Sequence, residues 1–344
     1  MDEGFARINE ICWGFRESRV LEIACRIGLF GALEGDFGTV KEICKKCGTT
    51  ERHTEKLLIA CCGLGLVRRD GDAFCNAEIS SKYLVPSSEY YQGDIILHSA
   101  SVRENFDRFE EEIFVEPKKE TEAEQWDHFI RGMNNIASCG RLKLFLESVD
   151  LSNKKKMLDV GGGPGSYCIG ACENNHNLKA VVWDLPETVK IAKEYIAKAG
   201  LQERINVVEG DWNTDSFGEG YDLVVMSNVL HGTEWECKEK LLKAYDALVD
   251  GGTLAVQEFL LNDEKDGSLI PSLFNVMVGA YSKGELLGVI KEAGFEDVKV
   301  TGENPEIGSW WVTGRKAISN CLFGLEVGIT IPTPCVKLGN SFCG

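Results

Sequence analysis

The chain predicts an α/β fold: a mostly parallel, seven-stranded sheet with helices on its faces, preceded by a small α-helical module that ends in a β-wing. Three observations carry this. From residue 151 onward, short apolar runs alternate with helical stretches, the pattern of a parallel sheet built by right-handed crossovers. The first of those runs, Lys156 to Val160, empties into Gly161-Gly162-Gly163-Pro164-Gly165. Residues 1–95 lack the alternation and hold three helix-period segments followed by one tight hairpin.

In the first segment, Val20, Leu21, Ile23, Ala24, Ile27 and Phe30 recur with helical spacing. Thr39-Val40-Lys41-Glu42-Ile43 starts a second helix, and Thr50 is placed to cap a third carrying Leu57, Leu58, Ala60 and Cys61. Leu66 to Arg69, Asp70-Gly71 and Asp72 to Phe74 then read as strand, turn and strand, completing a winged helix. DNA binding would need a basic third helix, so dimerisation is the expected role. Residues 96–150 read as a helical linker and lid, with Trp126, Phe129 and Met133 along one helix face. The sheet domain spans 151–316, with strands expected at 156–160, 179–183, 205–208, 221–227, 253–258, 296–300 and 309–315. Residues 317–344, with Pro332, Pro334 and Cys335, read as an irregular tail.

Bulk properties narrow the function. The 344 residues are 44% hydrophobic, ample for two cores, yet no apolar run is long enough to span a bilayer. The N-terminus is acidic where a signal peptide would be basic. A net charge of -17 disfavours nucleic acid and anionic lipid as partners. A cytoplasmic protein taking a small molecule into a shielded pocket is expected. The 14 cysteines, without a secretory signal, read as reduced thiols. Cys44 and Cys47 lack a second matched pair, and their spacing puts both on one helix face, so packing accounts for them without a metal.

In an open parallel sheet, ligands gather beyond the carboxyl ends of the strands. Those ends carry, in order, Asp159 with Gly161 and Gly163, then Asp184, then Gly210-Asp211-Trp212, then His231, then Glu258. Only glycine lets backbone approach a nucleoside this closely, and a carboxylate roughly 20 residues beyond such a loop is the usual ribose ligand. The loop spacing differs from the dinucleotide fingerprint and is read as a pocket for S-adenosylmethionine. Asp211 suits an exocyclic amine and Trp212 a purine face, although a helix N-cap and simple burial would also explain them. His231 is placed to take a proton from a phenol or acidic hydroxyl, and Glu258 to hold the other imidazole N–H. His53, His98, His128 and His176 have no comparable setting, although His98 and His128 are near enough to the lid to line it.

With these motifs, the chain resembles the small-molecule O-methyltransferases that include caffeate and acetylserotonin O-methyltransferases. Gly28 to Leu33, Gly63 to Val67, Leu158 to Gly165, Trp183-Asp184-Leu185-Pro186, Gly210-Asp211, Leu230-His231 and Glu285 to Phe295 carry the resemblance over about residues 10–316. It implies a Rossmann-like class I methyltransferase domain behind a winged-helix dimerisation domain, and a homodimer. It implies cofactor contacts at Asp159, Gly161, Gly163, Asp184, Leu185, Gly210, Asp211, Trp212 and Ser227, with His231 as base and Glu258 as its partner. The acceptor pocket is expected to draw on Trp126, Phe129, Met133, Phe274, Met277 and Tyr281. Three positions depart from the pattern. The His-Asp-Trp motif becomes His231-Gly232-Thr233-Glu234-Trp235, Ser227 replaces a lysine, and Val278 to Ser282 lacks a second acid. The expected reaction is methylation of a hydroxyl on an aromatic or apolar small molecule. C-methylation of a quinone or tetrapyrrole, or a cofactor-sensing winged-helix regulator, are the alternatives.

Overall fold

The computed structural model describes residues 3–115, 120–231, 234–305 and 308–318. The N-terminal part runs α1 (Glu3–Trp13), α2 (Phe15–Arg26), α3 (Leu29–Ala32), β1 (Gly38–Thr39), α4 (Val40–Cys47), α5 (Glu51–Gly63), β2 (Val67–Asp70), β3 (Ala73–Asn76) and α6 (Glu78–Tyr83). The expected wing is there, and β1 adds a third strand antiparallel to β3; a two-residue strand leaves no pattern to read. Thr39 caps α4 with a full capping box, and Gly48 ends it at φ 68°, as glycine permits. Thr50 stands at the N-cap of α5 but does not cap it: its hydroxyl meets Nδ1 of His53 at 2.9 Å, and Thr49 meets Thr54 instead. Every cysteine among the described residues is a free thiol.

Three helices come next, α7 (Gly93–Ile113), α8 (Glu122–Ile136) and α9 (Leu142–Ser148), with a π-helical turn over Ala137–Arg141 between the last two. The sheet domain then runs β4 (Lys156–Val160), α10 (Ser166–Asn174), β5 (Lys179–Asp184), α11 (Pro186–Lys198), β6 (Ile205–Glu209), β7 (Tyr221–Ser227), α12 (Glu234–Ala247), β8 (Leu248–Glu258), α13 (Leu269–Met277), α14 (Lys283–Glu292), β9 (Glu296–Asn304) and β10 (Ser309–Arg315). Each expected strand is present, with β8 starting earlier and β9 ending later than the apolar runs suggest. The tail expected over 317–344 lies, from residue 319, outside the described residues.

The strand order is β6-β5-β4-β7-β8-β10-β9, parallel through β8 and antiparallel where β10 inserts between β8 and β9. The chain reverses direction across the sheet between β4 and β7, which opens a crevice at their carboxyl ends. Alternation sorts the side chains: Leu158, Val160, Val224 and Met226 bury against α12 and α14, while Met157, Leu223, Val225 and Trp311 bury against the α9–α11 side.

The two parts share a core. Leu273 of α13 is buried among Leu29, Phe30, Leu58 and Phe74 of the N-terminal helices and wing. Gly63 allows the approach, since a Cβ there would lie 3.0 Å from Ser272. A second joint is ionic. Glu22 on α2, 2% exposed, accepts from Arg19, from Arg26 at 2.7 Å and from Arg103 of α7 at 2.5 Å. The hydrogen bond from Arg19, then those from Arg26 and Arg103, pull its carboxyl down to about 2.

Because that value lies below the ordinary unfolded glutamate near 4.3, the stabilisation is complete above about pH 4.3 and disappears as pH falls toward 2. Glu22→Gln should therefore cost about 1–3 kcal/mol at pH 7 in urea unfolding, with the gap to wild type closing between about pH 4.3 and 2. A gap that stays constant with pH would dissociate the carboxylate from that stabilisation.

Candidate methyl-transfer site

β4 delivers its last residues into the loop, and the loop is tied to β5. Gly161 N–H donates to the Trp183 carbonyl at 2.8 Å, and Gly163 N–H donates to Oδ2 of Asp184 at 2.8 Å. The other oxygen of Asp184 accepts from Leu185 N–H at 2.7 Å. Gly161 and Gly163 have φ of 65° and 56°, a region that side-chain-bearing residues avoid. Burial raises the Asp184 carboxyl, against the lowering effect of the hydrogen bonds from Gly163 and Leu185.

Asp159 sits beneath the loop, 1% exposed. Burial, reinforced by the nearby charge of Asp184, pushes its carboxyl up to about 8. Its Oδ1 has no partner among the described residues, while Oδ2 faces the Cys168 thiol at 3.8 Å. Trp212 closes over the loop from the other side: a Cβ on Gly161 would lie 3.0 Å from its ring and 2.7 Å from Val229. Lys240 lies 4.4 Å over that ring, and Lys243 donates to the Trp212 carbonyl at 2.7 Å. An enclosed loop backed by a buried carboxyl oxygen in want of a donor fits a nucleoside bearing an amino-acid tail.

Three neighbours are placed differently from the simplest reading. Asp211 caps no helix; its Oδ1 accepts from Asn213 N–H at 2.9 Å in a tight turn. Gly210 makes room for protein, because a Cβ there would fall 2.2 Å from the Trp183 indole. Ser227 donates to Oε1 of the fully buried Gln257 at 2.7 Å and lies by the Tyr167 hydroxyl.

The next two strand ends bring His231 and Glu258 together. Glu258, 2% exposed, receives Leu230 N–H on Oε1 at 2.9 Å and faces His231 Nδ1 with Oε2 at 3.5 Å, the long edge of hydrogen bonding. Asn228, at φ 55°, turns the chain after β7 so that His231 reaches β8. Phe274 meets the imidazole edge-on at 5.8 Å and stacks on Phe259 at 3.8 Å. Tyr281 donates its hydroxyl to the Leu230 carbonyl at 3.3 Å, within the segment that lacks a second acid.

The remaining acceptor residues divide. Trp126 donates its indole N–H to Thr188, in the first turn of α11 just past Asp184, and Phe129 lies 5.5 Å from it, half-exposed. Met133 precedes Asn134, whose Oδ1 accepts from Ser166 at the mouth of the glycine loop. This face of α8 is therefore no core stripe; its buried residue is Ile130. Met277 is exposed at the end of α13. Of the two histidines near the lid, His128 is exposed beside Glu120, at 3.6 Å. Arg141, Gln257 and Thr188 also line or support the site and had no motif to mark them. A separate surface cleft of about 690 Å³, lined by Lys154, Thr253 and Arg315 among others, lies at the opposite ends of the strands.

The model of an O-methyltransferase domain matches residues 101–296, and that of an O-methyltransferase dimerisation domain matches residues 9–86. The chain belongs to this O-methyltransferase family. Its cofactor is S-adenosylmethionine, and the fold is that of the class I methyltransferases. Among its relatives, the 3-hydroxy-5-methyl-1-naphthoate 3-O-methyltransferase of Streptomyces sahachiroi is 29% identical, over 85% of this chain and 90% of that protein. The L-tyrosine C(3)-methyltransferase of Streptomyces lavendulae is 28% identical, over 78% of this chain and 79% of its own length. The human N-acetylserotonin methyltransferase, solved in complex with S-adenosylmethionine, superposes with a TM-score of 0.52 at 25% identity, covering 92% of this chain and 99% of that one.

Proposed function

We propose that the enzyme methylates a hydroxyl on an aromatic or apolar small molecule, with His231 as general base and Glu258 as the residue that orients it. The observation that carries this is the His231–Glu258 pair at the switch-side strand ends, walled by the stacked rings of Phe259 and Phe274. Glu258 is already held by Leu230 N–H, so its free oxygen selects the Nδ1–H tautomer and leaves Nε2 as the acceptor. Nε2 takes the acceptor's hydroxyl proton and Glu258 stabilises the imidazolium that results. Bound here, the cofactor would supply an electrophilic sulfonium methyl to the oxygen that His231 deprotonates. Asp159, Gly161, Gly163, Asp184 and Leu185 would hold it, under Trp212, with Asp211, Gly210 and Ser227 at the rim. Alignment and exclusion of water by these walls then supply the acceleration. Trp126, Phe129 and Met133 cover the cofactor side, and Phe274 and Tyr281 position the acceptor.

The working unit in this reading is a homodimer. α1 buries none of its residues within the chain, and Ile8, Ile11 and Phe15 stand exposed, as do Phe106, Phe109 and Ile113 of α7. An apolar surface of that extent, inside the match to the dimerisation domain and just beyond it, calls for a second copy.

His231→Ala should reduce kcat by about 100-fold or more while the affinity for S-adenosylhomocysteine stays within about threefold. Full activity in that variant would remove the base, and NMR of a product methylated on carbon would replace the reaction. Sedimentation should give twice the 38.0 kDa chain mass, and Ile11→Glu with Phe109→Glu should give the single mass; a monomeric wild type would refute the dimer.

A further inference from the structure

Two walls close on the glycine loop, and one buried lysine holds both. A Cβ on Gly161 would meet Val229 at 2.7 Å and the Trp212 ring at 3.0 Å, so these two side chains bound the space beside the loop. Lys240 of α12, 9% exposed, donates from Nζ to the Val229 carbonyl at 2.9 Å and stands 4.4 Å from the centroid of the Trp212 ring. Lys243, one turn on, donates to the Trp212 carbonyl at 2.7 Å. Residues three apart share a helix face, so α12 grips Trp212 by its ring and by its backbone.

A lysine is seldom buried to this depth. Cys237, Leu241 and Ala244 of the same helix bury as ordinary core residues, whereas Lys240 carries a charge in among them. That charge does two things. An ammonium over an indole is attracted to the negative face of the ring, which holds the ring in one orientation. With a cation on one face, the other face is disfavoured for a second cation and suited to a flat, neutral group. Of the parts of S-adenosylmethionine, that is the purine and not the sulfonium. The bond to Val229, in turn, works beside two others on the segment leading to His231. Leu230 donates its N–H to Glu258 at 2.9 Å, and its carbonyl accepts from Tyr281 at 3.3 Å.

We propose that Lys240 is a positioning residue for the cofactor. It fixes the Trp212 indole as the platform for the purine, and its bond to Val229 keeps the second wall of the loop in place. This rests on the reading of Trp212 as a cofactor contact.

Lys240→Met removes the charge and the donor at nearly constant length, and Lys240→Gln is the milder second variant. Calorimetry on the full chain measures binding of S-adenosylhomocysteine and of 5′-deoxy-5′-methylthioadenosine, which lacks the amino-acid tail. Each variant is made in wild type and in Trp212→Leu. Both should weaken both ligands by about fivefold or more in wild type, and by less than about twofold where Trp212 is already leucine. Lys240→Arg, which keeps the cation, should stay within about threefold of wild type. Equal losses in the two backgrounds would mean that the lysine does not act through the indole. A loss with S-adenosylhomocysteine alone would put its effect at the amino-acid end. Either result overturns the proposal. So does a change in unfolding temperature with both dissociation constants unmoved, the signature of a lysine that only fills the core. If Trp212→Leu alone leaves binding untouched, the platform and the proposal fall together while the cofactor site stands. No binding of S-adenosylhomocysteine by folded wild type would remove the site itself, and the proposal with it.

Discussion

The site depends on one carboxylate. Asp184 receives Gly163 N–H on one oxygen and Leu185 N–H on the other, so it joins the glycine loop after β4 to the start of α11. That anchor fixes the loop at Gly163, and Trp183, one residue earlier, ties Gly161 through its carbonyl. Each carboxylate oxygen keeps a lone pair beyond those two bonds. The same group therefore shapes the loop and remains able to accept from a ligand. Its partial burial opposes ionisation, and the backbone donors offset that cost. Asp159, buried below with a spare oxygen, extends the arrangement inward.

The acceptor side is built by a different constraint, the docking of the N-terminal part onto α13. Successive residues of that helix point to different purposes: Leu273 enters the N-terminal core, and Phe274 stands against His231. The position of the aromatic wall thus depends on packing against α5, and Gly63 permits the close approach. A change in the seating of the N-terminal helices would be transmitted to the ring beside His231. In the proposed reading, this gives the first ninety or so residues a role in substrate placement as well as in association.

Much of this architecture is legible in the amino-acid order, for physical reasons. Period-two burial in β4 and β7, the glycine run and the carboxylates at strand ends are local signals, and the crevice rule converts them into one site. The pairing of His231 with Glu258 follows from the adjacency of β7 and β8. Other features depend on tertiary contacts that leave no local trace. Thr50 has the right type to cap α5, yet a histidine one turn on takes its hydroxyl. Gly210 resembles a ligand-approach glycine, and the structure gives its space to Trp183. Trp126, Phe129 and Met133 have the spacing of a core stripe, but Ile130 is the residue that α8 buries. Arg141 is hidden most completely, because Ser138 to Leu146 reads as a plain helix except for Gly140, and only the π-helical turn reveals which way the arginine turns.

The central claim is that the loop and Asp184 together grip the cofactor. Calorimetric titration of S-adenosylhomocysteine into wild type and Asp184→Asn tests it most directly. The account predicts a single saturable site per chain in wild type, weakened by about tenfold or more when one carboxylate oxygen becomes an amide. An absence of saturable heat in folded wild type, or equal affinities for the two proteins, would contradict it.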